Sequence, residues 1–200
     1  MANENTGTTQ GLRSVKLLQS AKAATAHQKE WFFDMKKRVE NGAPFAYIDG
    51  VPGLLLQSMG IETVSSPWWS AICSAKQQSA KYFGLLRENG YRDDLCSYCA
   101  TALACSMDPT HAAAAWGGLP TPNIVAAAAL CDSTAKIFEL VAKQYGAKLY
   151  LMEGNVQLRT PERWWERVVY NWEDFFDKRS LDEVSRELRD MIARLEDDTG

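Results

Sequence analysis

The sequence predicts an α/β fold, with a mostly parallel sheet flanked by helices, a helical N-terminal segment and a long C-terminal helical segment. Three observations carry that prediction. Short apolar runs of strand length, "PFAYIDG", "IVAAAAL" and "AKLYLME", are each bounded by turn residues or a helix start. Between them lie longer stretches whose apolar residues recur every three to four positions. Strand and helix therefore alternate, and no repeat of fixed period interrupts the alternation.

Each element has its own reason. Residues 1–12 are rich in Thr, Gly, Asn and Gln and predict a disordered leader, leaving 13–200 as one α/β unit. A helix is expected from about Ser14 to Glu40, stopped by Gly42 and Pro44. "PFAYIDG" reads as a strand closed by Asp49-Gly50, "GLLLQSMG" as a short helix closed by Gly60, and "IETV" as a second strand. Ala71, Ile72, Ala75, Ala80, Phe83 and Leu86 predict one long helix from Trp68 to Glu88, ending at Gly90. Asp93 and Asp94 are expected to cap a helix that contains Cys96, Cys99 and Cys105. The stretch 107–123 is irregular, with Asp108-Pro109, Gly117-Gly118, Pro120 and Pro122. "IVAAAAL" is read as a strand despite the helix preference of alanine, because a proline-rich loop precedes it and a fresh helix start, "CDSTAKIFELVAKQYG", follows. From Pro161 to about Leu195 the pattern is helical, with a break expected near Lys178–Ser180.

Composition narrows the function. The net charge is −3, with 22 basic and 25 acidic residues intermixed, so no basic stripe suits nucleic acid. The longest apolar run, Ile124–Cys131, falls far short of the ~20 residues that span a bilayer. The polar start "MANENTGTTQG" lacks the apolar core of a signal peptide, so a cytoplasmic location is expected, with no membrane association. Five cysteines, an odd number clustered unevenly, argue for reduced thiols rather than a disulfide framework.

The thiols carry most of the functional signal. On this reading Cys96 lies in the first turn of its helix, and Cys131 joins the strand "IVAAAAL" to the next helix. A helix N-terminus favours thiolate, the form that binds iron or zinc, and the carboxyl edge of an open α/β sheet is where ligands bind. Cys73 and Cys105 sit among alanines and are expected to be core filler. The pair Cys96 and Cys99 is one CxxC, which alone selects no chemistry, and spacing leaves Cys96 and Cys131 balanced between ligand and filler. His27 and His111 are isolated and expected on the surface; Asp132 and Ser133 are explained by capping. Trp68-Trp69 and Trp164-Trp165 are expected in core or subunit-interface packing. Asp49 follows a strand, where functional groups gather, but Asp-Gly is also an ordinary turn. No Walker or Rossmann glycine motif appears, so no nucleotide is expected to bind this chain directly.

The stretches "ICSAKQQSAKYFGLLRENGYRDDLCSYCATALA" and "GGLPTPNIVAAAALCDSTAKIFELVAKQYGAKLYLME" resemble the N-terminal half of the 2-hydroxyacyl-CoA dehydratase family. That family also contains the ATP-dependent benzoyl-CoA reductase subunits and the double-cubane-cluster proteins. The resemblance runs from about Lys29 to Gly200 and rests most on "DLCSY", on the "PTPN" loop with its apolar strand, and on the cysteine opening the next helix. It implies that Cys96 and Cys131 are two of three cysteine ligands of an iron–sulfur cluster, [4Fe–4S] in type. The third is expected in a second α/β domain into which "RLEDDTG" would lead. It implies an acyl-CoA substrate, with Asp49 as a catalytic residue and Asp49 and Gly50 near the substrate. It implies a second family subunit, making a heterodimer, and a separate ATP-hydrolysing iron–sulfur activase.

The activity implied is that of an oxygen-sensitive 2-hydroxyacyl-CoA dehydratase acting through a ketyl radical. The alternatives are reduction of an aromatic acyl-CoA as in benzoyl-CoA reductase, a non-catalytic half-length partner without a cluster, and a zinc protein using Cys96, Cys99 and Cys131. Two departures from the family pattern bear on the choice. Relatives commonly continue "CSY" as "CSYAR", where this chain has Cys99-Ala100. Several dehydratases carry hydroxyl residues after the first strand, where this chain has "YIDGVPG".

Overall fold

The computed structural model describes residues 18–110, 113–129, 131–153, 162–175 and 177–199. The expected leader at 1–12 and His111 lie outside them. In chain order the elements are α1 (Gln19–Glu40), β1 (Phe45–Asp49), α2 (Gly53–Ser58), β2 (Glu62–Ser65), α3 (Ser66–Ala75), α4 (Ser79–Glu88), α5 (Ser97–Met107), β3 (Ile124–Ala128), α6 (Asp132–Tyr145), β4 (Lys148–Met152), α7 (Trp164–Arg167) and α8 (Lys178–Thr199). The expected fold class is the observed one. The strands form one parallel sheet in the order β2-β1-β3-β4, with Asp49 opposite Ala127 and Ala126 opposite Tyr150.

Period-two alternation divides the core between the two faces of the sheet. Phe45, Tyr47, Val125 and Ala127 face a layer built from α3, α5 and α6, backed by α1 and α4. Ala46, Ile48, Ile124, Ala126 and Ala128 face α2 and α8, the latter through Met191 and Leu195. Both faces of β3 are buried, which is why its sequence is continuously apolar rather than alternating. Its alanines let helices approach closely, and α5 is buried from Cys99 through Cys105. α6 stops where expected: Gly146 is left-handed at φ 66°, and Ala147 N–H donates to the Ala142 carbonyl at 2.9 Å.

Three expectations are corrected. The single helix over 68–88 is two helices, parted at Gln77, whose φ is 59°. The break is held by Gln78, whose N–H donates to the Cys73 carbonyl and whose Oε1 accepts from Ala115 N–H, each at 3.0 Å. The buried apolar positions are Trp69, Cys73, Tyr82 and Leu86, with the polar Ser70 buried beside them, while Ala71, Ala75 and Ala80 are exposed. Larger side chains remove more apolar area from water, so they take the inner face.

Asp93 and Asp94 do not cap α5. They pair with Arg87 and Arg92, and the N-cap is Cys96 itself. In place of a continuous helix after Pro161 there are α7, a 3₁₀ turn at Trp172–Phe175, and then α8, which begins at the expected break. Arg163, at φ 57°, and Asp177, whose Oδ1 accepts from Arg179 N–H, mark these boundaries. Of the core and interface alternatives for the tryptophan pairs, Trp69 takes the core, and Trp164 and Trp165 pack edge to face on the surface.

Candidate functional site

The strand order places a topological switch at the centre of the sheet. From β1 the chain moves outward through α2 to β2, and from β3 it moves the opposite way through α6 to β4. Such divergence opens a crevice beyond the carboxyl ends of the two central strands, where doubly wound folds bind ligands. Asp49 is the last residue of β1, and its position places it on the same side as Tyr47, toward α5 and α6.

Cys96 and Cys131 are the N-cap residues of α5 and α6. Cys131 is extended, at φ −151° and ψ 162°, and Cys96 has φ −49° and ψ 123°. Both side chains are exposed, unlike Cys73, Cys99 and Cys105. Neither cap side chain closes a regular capping hydrogen bond, and the positive end of each helix dipole faces the thiol region.

Thr134 ties this region together. Its hydroxyl lies 3.1 Å from Cys131 Sγ and 3.9 Å from Cys99 Sγ. The hydrogen bond from that hydroxyl holds the Cys131 thiol below its ordinary pKa, helped by the backbone N–H groups of Thr134 and Ser133. Burial does the opposite at Cys99, raising it to about 11, so Cys99 is a neutral thiol at physiological pH. The Asp49 carboxyl is close enough to Cys99 and Cys131 for its charge to oppose ionisation of both. Burial in turn raises the Asp49 pKa.

The expected site residues are thus gathered at one edge: Asp49 and Gly50 after β1, Cys96 before α5, and Cys131 between β3 and α6. Cys73 and Cys105 lie together in the core, as expected of filler, and their mutual hydrogen bond together with burial keeps Cys105 protonated. Among the described residues, no three His, Cys, Asp or Glu side chains form a group that could hold a metal ion. The chemistry of Cys96 and Cys131, two exposed thiols at helix N-termini, fits the thiolate side chains that a thiophilic metal group requires.

Thr134 was missed from sequence. It stands three residues after the N-cap, the spacing at which a capping box folds a side chain back toward its cap, and that spacing was the available signal. His27 is exposed, as expected, but also lines a cavity beside Gly50 together with Trp31 and Trp68.

A parallel α/β sheet with two cap thiols at its switch point defines a class of ligand-binding proteins rather than a single reaction. The family follows from comparison. The model described as 2-hydroxyglutaryl-CoA dehydratase, D-component, matches residues 49–200, well over half of the chain. The chain belongs to that family, a component of 2-hydroxyacyl-CoA dehydratases. No curated protein matches it. Among the described residues, no helix is long and apolar enough to cross a membrane.

Proposed function

We propose that this chain is the iron–sulfur component of a 2-hydroxyacyl-CoA dehydratase, with Cys96 and Cys131 as cluster ligands and Asp49 as a proton-handling group. One observation carries the reading: two exposed thiols, each an N-cap, share the carboxyl edge of the sheet with a half-buried carboxyl at the switch point. When bound, an iron–sulfur cluster supplies a single low-potential electron to a CoA thioester.

The chain's own residues do the rest. The N–H groups at the start of α6 and the Thr134 hydroxyl stabilise negative charge on Cys131 Sγ. Asp49, protonated more readily than an ordinary carboxyl, can donate its proton to a departing 2-hydroxyl, which leaves as water. The net reaction removes that hydroxyl and one hydrogen from the adjacent carbon, and the electron, recovered at the end, is not consumed. A radical on the thioester needs a site closed to water. Leu95 and Tyr98 flank Cys96 and are 43% and 50% exposed, an apolar rim suited to a covering partner subunit. The electron donor in this reading is a separate ATP-hydrolysing activase.

Ring reduction of an aromatic acyl-CoA is the second reading. The loop after β1 offers a proton from Asp49 but no side-chain hydroxyl to assist a leaving group. Turnover decides between them. With the partner component, activase, ATP and a reductant, we expect enoyl-CoA from a 2-hydroxyacyl-CoA, and a loss on the order of 100-fold in kcat for Asp49→Asn. Dienoyl-CoA from benzoyl-CoA, with no enoyl-CoA from the hydroxy thioester, would assign ring reduction instead.

A further inference from the structure

A cavity of about 630 Å³ opens beside Gly50, one residue beyond Asp49. That volume is within the range of pockets that enclose small-molecule ligands. Its aromatic wall is Trp31 of α1 and Trp68 of α3, which meet edge to face with ring centroids 5.4 Å apart. Ile48 and Val51 continue the apolar surface on either side of the turn, and Leu54 stands at the exposed mouth. In the polar part Gln57 Nε2 donates to Thr63 Oγ1 at 2.8 Å, so these two groups satisfy each other, and the exposed His27 is the one ionisable side chain beside Gln28, Gln57, Thr63 and Ser65. Among the described residues that line it, none is Asp, Glu, Lys or Arg.

We infer that this cavity takes the acyl group of the CoA thioester and selects an uncharged one, aromatic or branched aliphatic, over a dicarboxylic one. This rests on the acyl-CoA function proposed above and departs from the glutaryl group in the family's name. A second carboxylate entering the cavity would lose its hydration and meet no lysine or arginine, only the imidazole of the exposed His27, a cost that an apolar acyl group does not incur. Two indoles at an angle give an aromatic acyl group both a face and an edge to pack against. The cavity includes Gly50, the residue after Asp49, so it opens on the turn that leaves the carboxyl end of β1. Free CoA has no group to fill it.

The test is calorimetric titration of the full chain with benzoyl-CoA, isovaleryl-CoA, glutaryl-CoA and CoA, repeated on Leu54→Arg. Leu54 is exposed, so the variant adds a cation at the mouth without disturbing the core. We expect the two neutral thioesters to bind about tenfold tighter, or more, than glutaryl-CoA and free CoA. Leu54→Arg should tighten glutaryl-CoA by about tenfold and leave benzoyl-CoA nearly unchanged. Glutaryl-CoA binding as tightly as benzoyl-CoA to the unaltered chain would overturn the inference while leaving the dehydratase reading intact. Equal affinity for CoA and its thioesters, or no response to Leu54→Arg, would place the acyl group elsewhere and also overturn it. Absence of binding by every CoA species would instead overturn the acyl-CoA function itself, and the inference with it.

Discussion

Cys131 is an exposed thiol whose hydrogen-bond partners hold it below its ordinary pKa. Its Sγ receives the Thr134 hydroxyl while Cys99, on the far side of the same hydroxyl, is buried and neutral. The hydroxyl favours thiolate on both sulfurs, but at Cys99 burial outweighs it, so the net pKa falls at the exposed sulfur alone of the two. Thr134→Val should remove that donor with little change in volume, raising the Cys131 pKa and lowering its thiolate fraction about tenfold for each unit raised. Iodoacetamide labelling of metal-free protein at neutral pH, read by peptide mass, checks this. Unchanged Cys131 labelling would mean that the helix N-terminus alone sets its ionisation. At this scale the sequence was informative about residue types but not about partners. Cys96, Cys131 and Asp49 were legible because helix starts and strand ends fix where they stand. Thr134 was not, because its role depends on a side-chain rotation within the first turn.

Elements were legible where local chemistry dictates them and illegible where a tertiary contact does. Gly146 announces the end of α6, whereas nothing in "AKQQSA" outweighs the continuous helical pattern around it. The break between α3 and α4 depends on Gln78 reaching Ala115, 37 residues away. Gln77 is left-handed at φ 59°, a conformation that glycine adopts without the Cβ clash. Gln77→Gly should therefore stabilise the fold by up to about 1 kcal/mol in urea unfolding, offset partly by the greater freedom of the unfolded chain. Marked destabilisation would show that the Gln77 side chain contributes contacts of its own.

Farther along the same helices, Lys81 of α4 meets Asp108 at the end of α5, Nζ to Oδ2 at 2.5 Å, and Thr110 donates to the other oxygen through N–H and hydroxyl. Burial opposes ionisation of Asp108, but these donors outweigh it and hold its pKa below the usual carboxylate range. A pKa depressed in the folded state stabilises fully above the unfolded value of about 3.9 and is lost as pH falls through the folded value. Lys81→Met should cost about 1 kcal/mol at neutral pH, since the lysine is partly exposed, and flatten the loss of stability between about pH 5 and pH 2. Equal acid sensitivity in variant and parent would remove this pair from the account.

For the molecule as a whole, strand–helix alternation was enough to indicate a parallel sheet, but not the strand order that creates the switch point. Order is set by which faces are apolar on both sides, and β3 earns its central place by burying every residue from Ile124 to Ala128. The site then follows from topology: Asp49 ends β1, and α5 and α6 begin, at the carboxyl edge that all four parallel strands share. Alanines that read as helix formers serve here as spacers in a strand and in α5, so pattern alone understated how closely the layers pack.

If Cys96 and Cys131 hold an iron–sulfur group at this edge, iron content and colour depend on those two thiols and not on the buried ones. The most direct measurement is iron and sulfide per chain, with the visible absorbance, after anaerobic reconstitution of the parent protein with its partner component. The same measurement on Cys96→Ser, Cys131→Ser, Cys73→Ser and Cys105→Ser locates the ligands. The account predicts a brown parent, sharp loss of iron and colour in the first two variants, and neither loss in the two core variants. Equal iron loss in all four, or a colourless parent under strict anaerobiosis, would contradict it.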